Sequence, residues 1–289
     1  MTARQSWVAA TCAAAALVML TPAAQAQSIE RAATGLTDTL QSAIDLLPED
    51  VTNIRLGLGP AISPAYEGSD DYKIQPVPVI SLRYKNLIEV DNNEIKIIAF
   101  NHGFQSGTRF AGGTLRFGPL VSLNFGRSEG DSTDLVGMGD VGTSLELGAF
   151  VSYTVNKTRV RVRARQDVLG GHNGATVQFD VAQTFYRDGR FALSGSVSSM
   201  FATVNYMKSF FGVNGRQAAA SGLPFYHPGS GFKDVTVGTN GSYAFSAQWS
   251  LVANASYERL LGDAAASPLV ATRGSRNQFS LSTFAVYTF

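Results

Sequence analysis

The chain has 289 residues, of which 45% are hydrophobic and only 16% are charged, against about a quarter charged in an average soluble domain. No run of about 20 apolar residues follows the N-terminal region, which excludes a helical membrane protein. The formal net charge of +1 falls to about zero without Arg4, so no electrostatic case for nucleic-acid binding exists. The 29 glycines against 10 prolines indicate an all-β protein with many turns.

The first 26 residues have the features of a cleaved secretory signal peptide. Arg4 supplies the positive start, residues 8–20 form a short apolar run, and Ala24-Gln25-Ala26 is a small-x-small cleavage site. The single cysteine, Cys12, lies inside this segment. The mature chain is therefore expected to contain no disulfide and no thiolate site.

Residues 27–50 are predicted to contain a short amphipathic helix before the barrel, ending at Pro48. Its apolar positions recur at three- and four-residue spacing: Ile29, Ala33, Leu36, Leu40, Ile44 and Leu47. One interpretation is a helix packed on the main body of the protein. The alternative is a periplasmic handle or a plug inside a barrel.

From residue 51 to residue 289 the period of the sequence changes to two, as in strands. The alternating segments are mostly ten residues or longer, whereas strands of soluble sandwiches have about five to six and strands that cross a bilayer need about 9–11. Tight and long connections alternate along the chain, as they do in bacterial barrels. The sequence thus predicts a transmembrane antiparallel up-and-down β-barrel of about twelve strands, with ten as the alternative.

One region fits this alternation poorly. The tight turn Asp91-Asn92-Asn93 falls where an outer loop is expected, and residues 101–108 are longer than a usual periplasmic turn. The last eleven residues, FSLSTFAVYTF, form an alternating strand that ends on an aromatic residue, Phe289. We expect this strand to close the barrel against the first one, because an open edge is not tolerated in lipid.

A row of four arginines occupies one face of a predicted strand, at Arg159, Arg161, Arg163 and Arg165. Such a row would be costly in a dry sandwich interior but not in the wet lumen of a barrel. Glu146 on the preceding strand is a candidate partner. These charges either fill the lumen as paired groups or select anions in a channel, and the paired, structural role is the interpretation we adopt.

The sequence contains no motif that indicates catalysis, a cofactor or a metal site. The mature histidines, His102, His172 and His227, each adjoin glycine or proline in a predicted turn or loop and are expected to be solvated. Acidic residues in the first and third outer loops either bind a cation or form a solvated surface held by lipopolysaccharide-associated cations. The solvated surface is the interpretation we adopt.

Several strings beyond generic barrel sequence resemble the MipA/OmpV family of outer-membrane proteins, also described as the MltA-interacting protein family. The resemblance runs from about residue 54 to the end. Its most specific parts are Tyr66, Gly68, Ser69 and Asp70 in YEGSD, the string SGLPFY at 221–226, and Asp263, Ala264, Ser267 and Pro268 in DAAASP.

This resemblance implies a monomeric barrel in the outer membrane of a Gram-negative cell, in contact with lipid and lipopolysaccharide. It also implies a scaffold that brings a lytic transglycosylase together with a penicillin-binding protein, and so links murein hydrolysis to synthesis. Fold transfers from such a likeness more safely than function. A small channel or ligand-binding porin-like barrel is therefore the alternative, and a hydrolase at the barrel rim is a second one.

Overall fold

The computed structural model describes residues 52–105 and 112–289. The predicted signal peptide at 1–26 and the predicted helix at 27–50 lie outside the described residues. Within these residues, no helix has both the length and the apolar character needed to cross a bilayer.

Fourteen β-segments form a single antiparallel sheet that closes on itself. The segments are β1 (Thr52–Pro64), β2 (Tyr72–Tyr84), β3 (Ile88–Asp91), β4 (Glu94–Ile97), β5 (Phe100–Gly103), β6 (Thr114–Asn124), β7 (Ser144–Val155), β8 (Thr158–Asp167), β9 (Ala175–Arg187), β10 (Phe191–Ala202), β11 (Gly231–Phe232), β12 (Asp234–Ala244), β13 (Trp249–Leu260) and β14 (Asn277–Thr288).

Twelve wall strands result, because two of them are interrupted. β4 and β5 both pair with β6 and are separated by two residues. β11 and β12 both pair with β10 and are separated by Lys233. The prediction of twelve strands rather than ten is therefore confirmed.

The barrel closes where its first and last strands meet. β14 pairs with β1 in the register Leu56↔Tyr287, and the Phe289 N–H donates to the Ile54 carbonyl at 3.0 Å. The prediction that the C-terminal strand closes the sheet against the first strand is confirmed.

The outer surface of the wall is apolar and is bounded by aromatic rings. On β2 the outward residues run from Tyr72 through Ile74 to Tyr84, and all three side chains are exposed. On β13 and β14, Trp249 and Tyr287 contact each other edge to face with ring centroids 5.1 Å apart. An apolar band between aromatic girdles is typical of a barrel that spans a membrane.

Short turns join four pairs of strands at one end of the barrel, where the described chain also begins and ends, and a longer connection, residues 104–113, joins β5 to β6 at the same end. Longer connections join them at the other end, and bacterial barrels place such loops on the outer face of the cell. The exception is the β3–β4 hairpin, whose tight turn lies within the wall, because β3 has only four residues. Asn92 adopts a left-handed conformation there, with φ +45°.

The long loops fold into a helical cap over the outer mouth of the barrel. Its helices are α1 (Val204–Phe211), α2 (Gly215–Ser221), α3 (Gly262–Ala266) and α4 (Pro268–Arg273). Phe211 and Val270 belong to one buried apolar cluster of this cap, and Leu135 and Leu269 belong to a second. The cap thus has its own small hydrophobic core, which positions the loops over the lumen.

Candidate functional site: the capped lumen

A network of buried ion pairs crosses the lumen below the cap. We call it the lumen network, and its members are Glu89, Asp91, Glu94, Lys96, Arg116, Arg161, Arg163, Arg165 and Asp180. They project from β3, β4, β6, β8 and β9. Side chains from five segments therefore meet inside the barrel.

Glu94 is the centre of this network. Its carboxylate lies 2.7 Å from Arg165 Nη2, 3.6 Å from Arg163 Nη1 and 3.7 Å from Lys96 Nζ. Lys96 also lies 3.0 Å from Asp91. The side chain of Arg163 is 1% exposed, so the charges are packed against one another rather than against bulk water.

The arginine row of β8 points into the lumen, and its ion-pair partners lie on other strands. Arg161 Nε lies 3.3 Å from Asp180, and Arg163 Nη2 lies 3.2 Å from the same carboxylate. Arg159 lies on the same face and is half-buried. Glu146, the candidate partner from sequence, lies 2.9 Å from His172 instead.

His172 is buried, so the expectation of a solvated loop histidine is wrong at this position. The Gly174 N–H donates to its Nδ1 at 3.0 Å, which leaves Nε2 to carry the proton and donate to Glu146. Its ring also contacts Tyr206 of the cap at 5.0 Å. His227 lies in a loop and is exposed, as expected. His102 is exposed too, but it lies in β5 rather than in a turn or loop, with its ring 6.0 Å from that of Phe100.

The loop after β8 is folded around one carboxylate, and this fold buries His172. Asp167 accepts the backbone N–H groups of Leu169, Gly170, His172 and Asn173 at 2.7–3.1 Å. A sequence pattern of Asp followed by a Gly-rich loop permits such a turn, but it does not show which side chain the turn places inside.

A polar chamber of about 270 Å³ lies between the lumen network and the cap. Glu94 and Arg165 of the network line its floor, and Arg127 and Lys233 line it nearer the cap. The Arg127 Nη1 donates to the Phe210 carbonyl at 2.8 Å, which ties the β6–β7 loop to α1. Burial lowers the pKa of Arg127 to about 10.

Three carboxylates surround one ammonium group at the chamber wall. Lys233 pairs with Glu67, lies 2.6 Å from Asp234 and lies 3.7 Å from Glu258. Burial alone would lower the pKa of Lys233, but Asp234, Glu67 and Glu258 raise it well above its ordinary value. Lys233 thus remains charged, and among the described ion pairs three carboxylates share this one cation.

The strings singled out in the sequence meet in the cap. Gly68 of YEGSD has φ +97°, and a Cβ there would lie 2.5 Å from Val270 of α4. Tyr226 of SGLPFY donates to the Asp263 carbonyl at 2.9 Å. Ser267 of DAAASP donates to the Phe211 carbonyl at 2.7 Å. These strings are therefore the contacts that hold the outer loops together.

The short-turn end carries a basic rim, which we define by the exposed side chains Lys85, Lys157, Arg187 and Arg190. Within the four described turns of this end, Asp188 is the exposed acidic side chain. The outer loops, in contrast, hold an excess of acidic residues. The two ends of the barrel thus differ in charge.

The sequence profile of the family described as "MltA-interacting protein MipA" matches residues 56–289, which include the whole wall from β1 to β14 except its first residues. The chain belongs to the MipA family. Together with the closed barrel and its apolar outer band, this membership makes the MipA-family chain an outer-membrane β-barrel.

Two curated relatives are similar to part of this MipA-family chain. Both are called "MltA-interacting protein", one from Escherichia coli (strain K12) and one from Shigella flexneri, and each is 27% identical over 112 residues. The match covers 38% of this chain and 44% of each relative. The chain thus spans less than half the length of these relatives.

Solved outer-membrane structures resemble the barrel at low identity. The NanC porin is 13% identical, with a TM-score of 0.41, over 82% of this chain and 98% of that one. The translocator domain of the autotransporter NalP from Neisseria meningitidis is 12% identical, with a TM-score of 0.42, over 89% and 95% of the two chains. Neither likeness bears on function.

Proposed function

We propose that this MipA-family barrel is a non-enzymatic scaffold that binds a lytic transglycosylase at the periplasmic end of the barrel and brings it to a penicillin-binding protein. The observation that supports this most is the family match over residues 56–289. The name of the curated relatives, which states an interaction with MltA, points to the same class of partner.

The structure supports a role for the surface of the barrel rather than for its described lumen. The polar side chains of the lumen below the chamber are buried, both in the lumen network, where Arg163 is 1% exposed, and on β1, where Arg55 is 0% exposed. The cap covers the outer mouth. A solute path through the described residues would have to break buried ion pairs, which is costly.

The basic rim is the surface we assign to this partner. Lys85, Lys157 and Arg190 project from three different turns, so they present a broad positive face toward the periplasm. Such a face attracts an acidic protein surface and speeds its association, in a manner that salt weakens.

A charge-reversal experiment tests this proposal. The barrel with Lys85→Glu, Lys157→Glu and Arg190→Glu should lose most of its cross-linking to a purified lytic transglycosylase. The matched control reverses Lys208 and Arg216, which are exposed on the cap at the other end. Equal cross-linking of both variants, or equal loss, would overturn the assignment of the basic rim.

A small ligand-binding barrel is the second candidate, and the polar chamber favours it. A chamber of about 270 Å³ with charged walls can hold a small polar group. This function and the scaffold are independent, because they use opposite ends of the molecule.

A further inference from the structure

The wall of the barrel has a notch beside the outer half of β2. β3 pairs with β2 only over residues 81–84, so the other edge of residues 72–79 has no strand neighbour among the described residues. The hairpin tip at Asn92 and Asn93 forms the lower border of the notch, where two strands separate β2 from β6 by about 14 Å between axes.

Two prolines lie on this open edge. The Ile80 N–H donates to the Asn92 side chain, and the Ile80 carbonyl accepts the Asn92 N–H, so both backbone groups of Ile80 point toward the β3 side of β2. Every second residue of a strand directs its backbone groups to the same side, so the even-numbered residues of β2 all point this way. Pro76 and Pro78 are two of these even-numbered residues, so their backbone groups point into the notch. They remove two N–H donors from the edge, which blocks pairing with another strand but leaves carbonyl groups directed into the notch.

The notch faces the outer part of the lipid layer. It lies next to Ile74, which is 74% exposed, between the girdle residues Tyr72 and Tyr84 of the same strand. Backbone groups at this depth need a polar partner or a cover. The notch therefore offers a lateral route from the lipid layer to the interior of the barrel.

The chamber begins directly behind the notch. Lys73 and Gln75 from one border and Asn93 and Leu123 from the other all line the chamber. The same chamber is lined by Glu67, Asp234 and Glu258, whose carboxylate oxygens lie within 4.8 Å of one another around the single ammonium of Lys233. The chamber lining holds six acidic and four basic side chains, so the notch leads from the lipid-facing surface to an interior with a small excess of acidic groups.

We infer that the barrel binds a membrane amphiphile with a cationic head group, whose apolar chain lies in the notch and whose head enters the chamber beside Glu67 and Glu258. A positively charged head would lie with Lys233 among the carboxyl groups of Glu67, Asp234 and Glu258 and so offset the small excess of acidic groups. The chain of the amphiphile would cover the proline edge. This inference does not depend on the proposed scaffold function.

Photo-cross-linking of the intact barrel in phosphatidylcholine nanodiscs tests the inference. The probes are a dodecylammonium and a dodecyl sulfate that each carry a diazirine in the chain, with labelled sites mapped by mass spectrometry. We expect the ammonium probe to label residues 72–80 and 122–126 saturably, with competition by unlabelled dodecyltrimethylammonium. The sulfate probe should label the lipid-facing wall evenly and without saturation.

Two matched pairs of variants separate the entrance from the acidic interior. Ile74→Trp should reduce saturable labelling about tenfold, whereas Val237→Trp, at another lipid-facing position, should not. Glu67→Gln should reduce the preference for the ammonium probe, whereas Asp71→Asn, an exposed carboxylate of the same loop, should not. Even labelling by both probes in the unaltered barrel would overturn the inference, whatever the variants do.

Discussion

Asp188 closes the turn between β9 and β10 at the periplasmic end. It accepts a hydrogen bond from the Tyr186 hydroxyl at 2.6 Å and from the backbone N–H groups of Phe191 and Arg190. The bond from Tyr186, followed by the two backbone bonds, holds the pKa of Asp188 below its ordinary value. The carboxylate form is therefore the one that the turn stabilises.

The pH dependence of this turn follows from the direction of the shift. Because the folded pKa lies below the unfolded value of about 3.9, Asp188 stabilises the turn above about pH 4, and that contribution is lost as the pH falls through the folded pKa. Tyr186→Phe should move the titration midpoint of the Asp188 carboxyl upward, as measured by carbon NMR. Tyr84→Phe, at a neighbouring turn, should leave it unchanged; a midpoint unaffected by Tyr186→Phe would contradict the assignment.

In the cap, the hydroxyl of Ser267 joins the loop that carries α3 and α4 to the loop that carries α1 and α2. Its Oγ donates to the buried Phe211 carbonyl, and the side chain is buried. Ser267→Ala leaves that carbonyl unpaired and should destabilise the cap by about 1–3 kcal/mol. We expect faster proteolysis within residues 203–230 while the wall stays intact. The control is Ser230→Ala, which alters an exposed serine within residues 203–230 and should leave the rate of proteolysis unchanged. Equal proteolysis of both variants would show that this bond does not hold the cap.

At the scale of elements, the β3–β4 hairpin depends on one asparagine. Asn92 combines a left-handed backbone with a side-chain oxygen that accepts the Ile80 N–H at 2.8 Å. Asn92→Gly keeps the backbone accessible and loses only the side-chain bond, a cost of about 1 kcal/mol. Asn92→Ala adds the cost of a left-handed Cβ, about 1–2 kcal/mol more.

Urea unfolding of the two variants in lipid vesicles measures this difference. Asn92→Ala should unfold at lower urea than Asn92→Gly, and both should unfold at lower urea than the unaltered barrel. If the two variants unfold together, the backbone conformation of Asn92 contributes nothing to the hairpin.

The strands of this barrel could be predicted from the sequence, because a two-residue rhythm is a local property that each strand carries by itself. The tight turn Asp91-Asn92-Asn93 can also be predicted from the sequence, but the notch that it leaves in the wall cannot. A notch in the wall arises from the register of β3 against β2, and register depends on contacts between strands that no single strand records.

The partners of the arginine row show the same limit at the site. The inward face of β8 follows from alternation, but Asp180 and Glu94 become partners only through the pairing of β8 with β9 and through contact across the lumen. His172 was missed for a related reason. Its burial depends on Asp167 and on a helix that begins more than 30 residues later in the chain.

At the scale of the whole molecule, the lumen network braces the part of the wall that runs from β3 to β9. Glu94→Gln removes the carboxylate that Arg165 pairs with, while Arg163 and Lys96 keep Asp180 and Asp91. The largely buried guanidinium of Arg165 is then left without its anion, which should destabilise the barrel by about 3–5 kcal/mol. Adding Arg165→Met should recover part of this loss, because one unpaired cation is then gone. Denaturant unfolding in lipid vesicles measures the stability of both variants. A double variant that unfolds at lower denaturant than Glu94→Gln alone would contradict a shared network.

The lumen network and the cap together predict the electrical behaviour of the barrel. Since inward polar side chains on different strands, such as Arg55, Arg163 and Asn254, are buried, the unaltered protein should show no steady conductance in planar bilayers. Removing the cap core with Phe211→Ala should not open a path, because the network below remains. Combining Glu94→Ala, Arg163→Ala and Arg165→Ala should produce discrete conductance steps, because the central carboxylate and two of the arginines beside it are shortened to methyl groups. Large steady currents through the unaltered barrel would show that the lumen conducts in spite of this network.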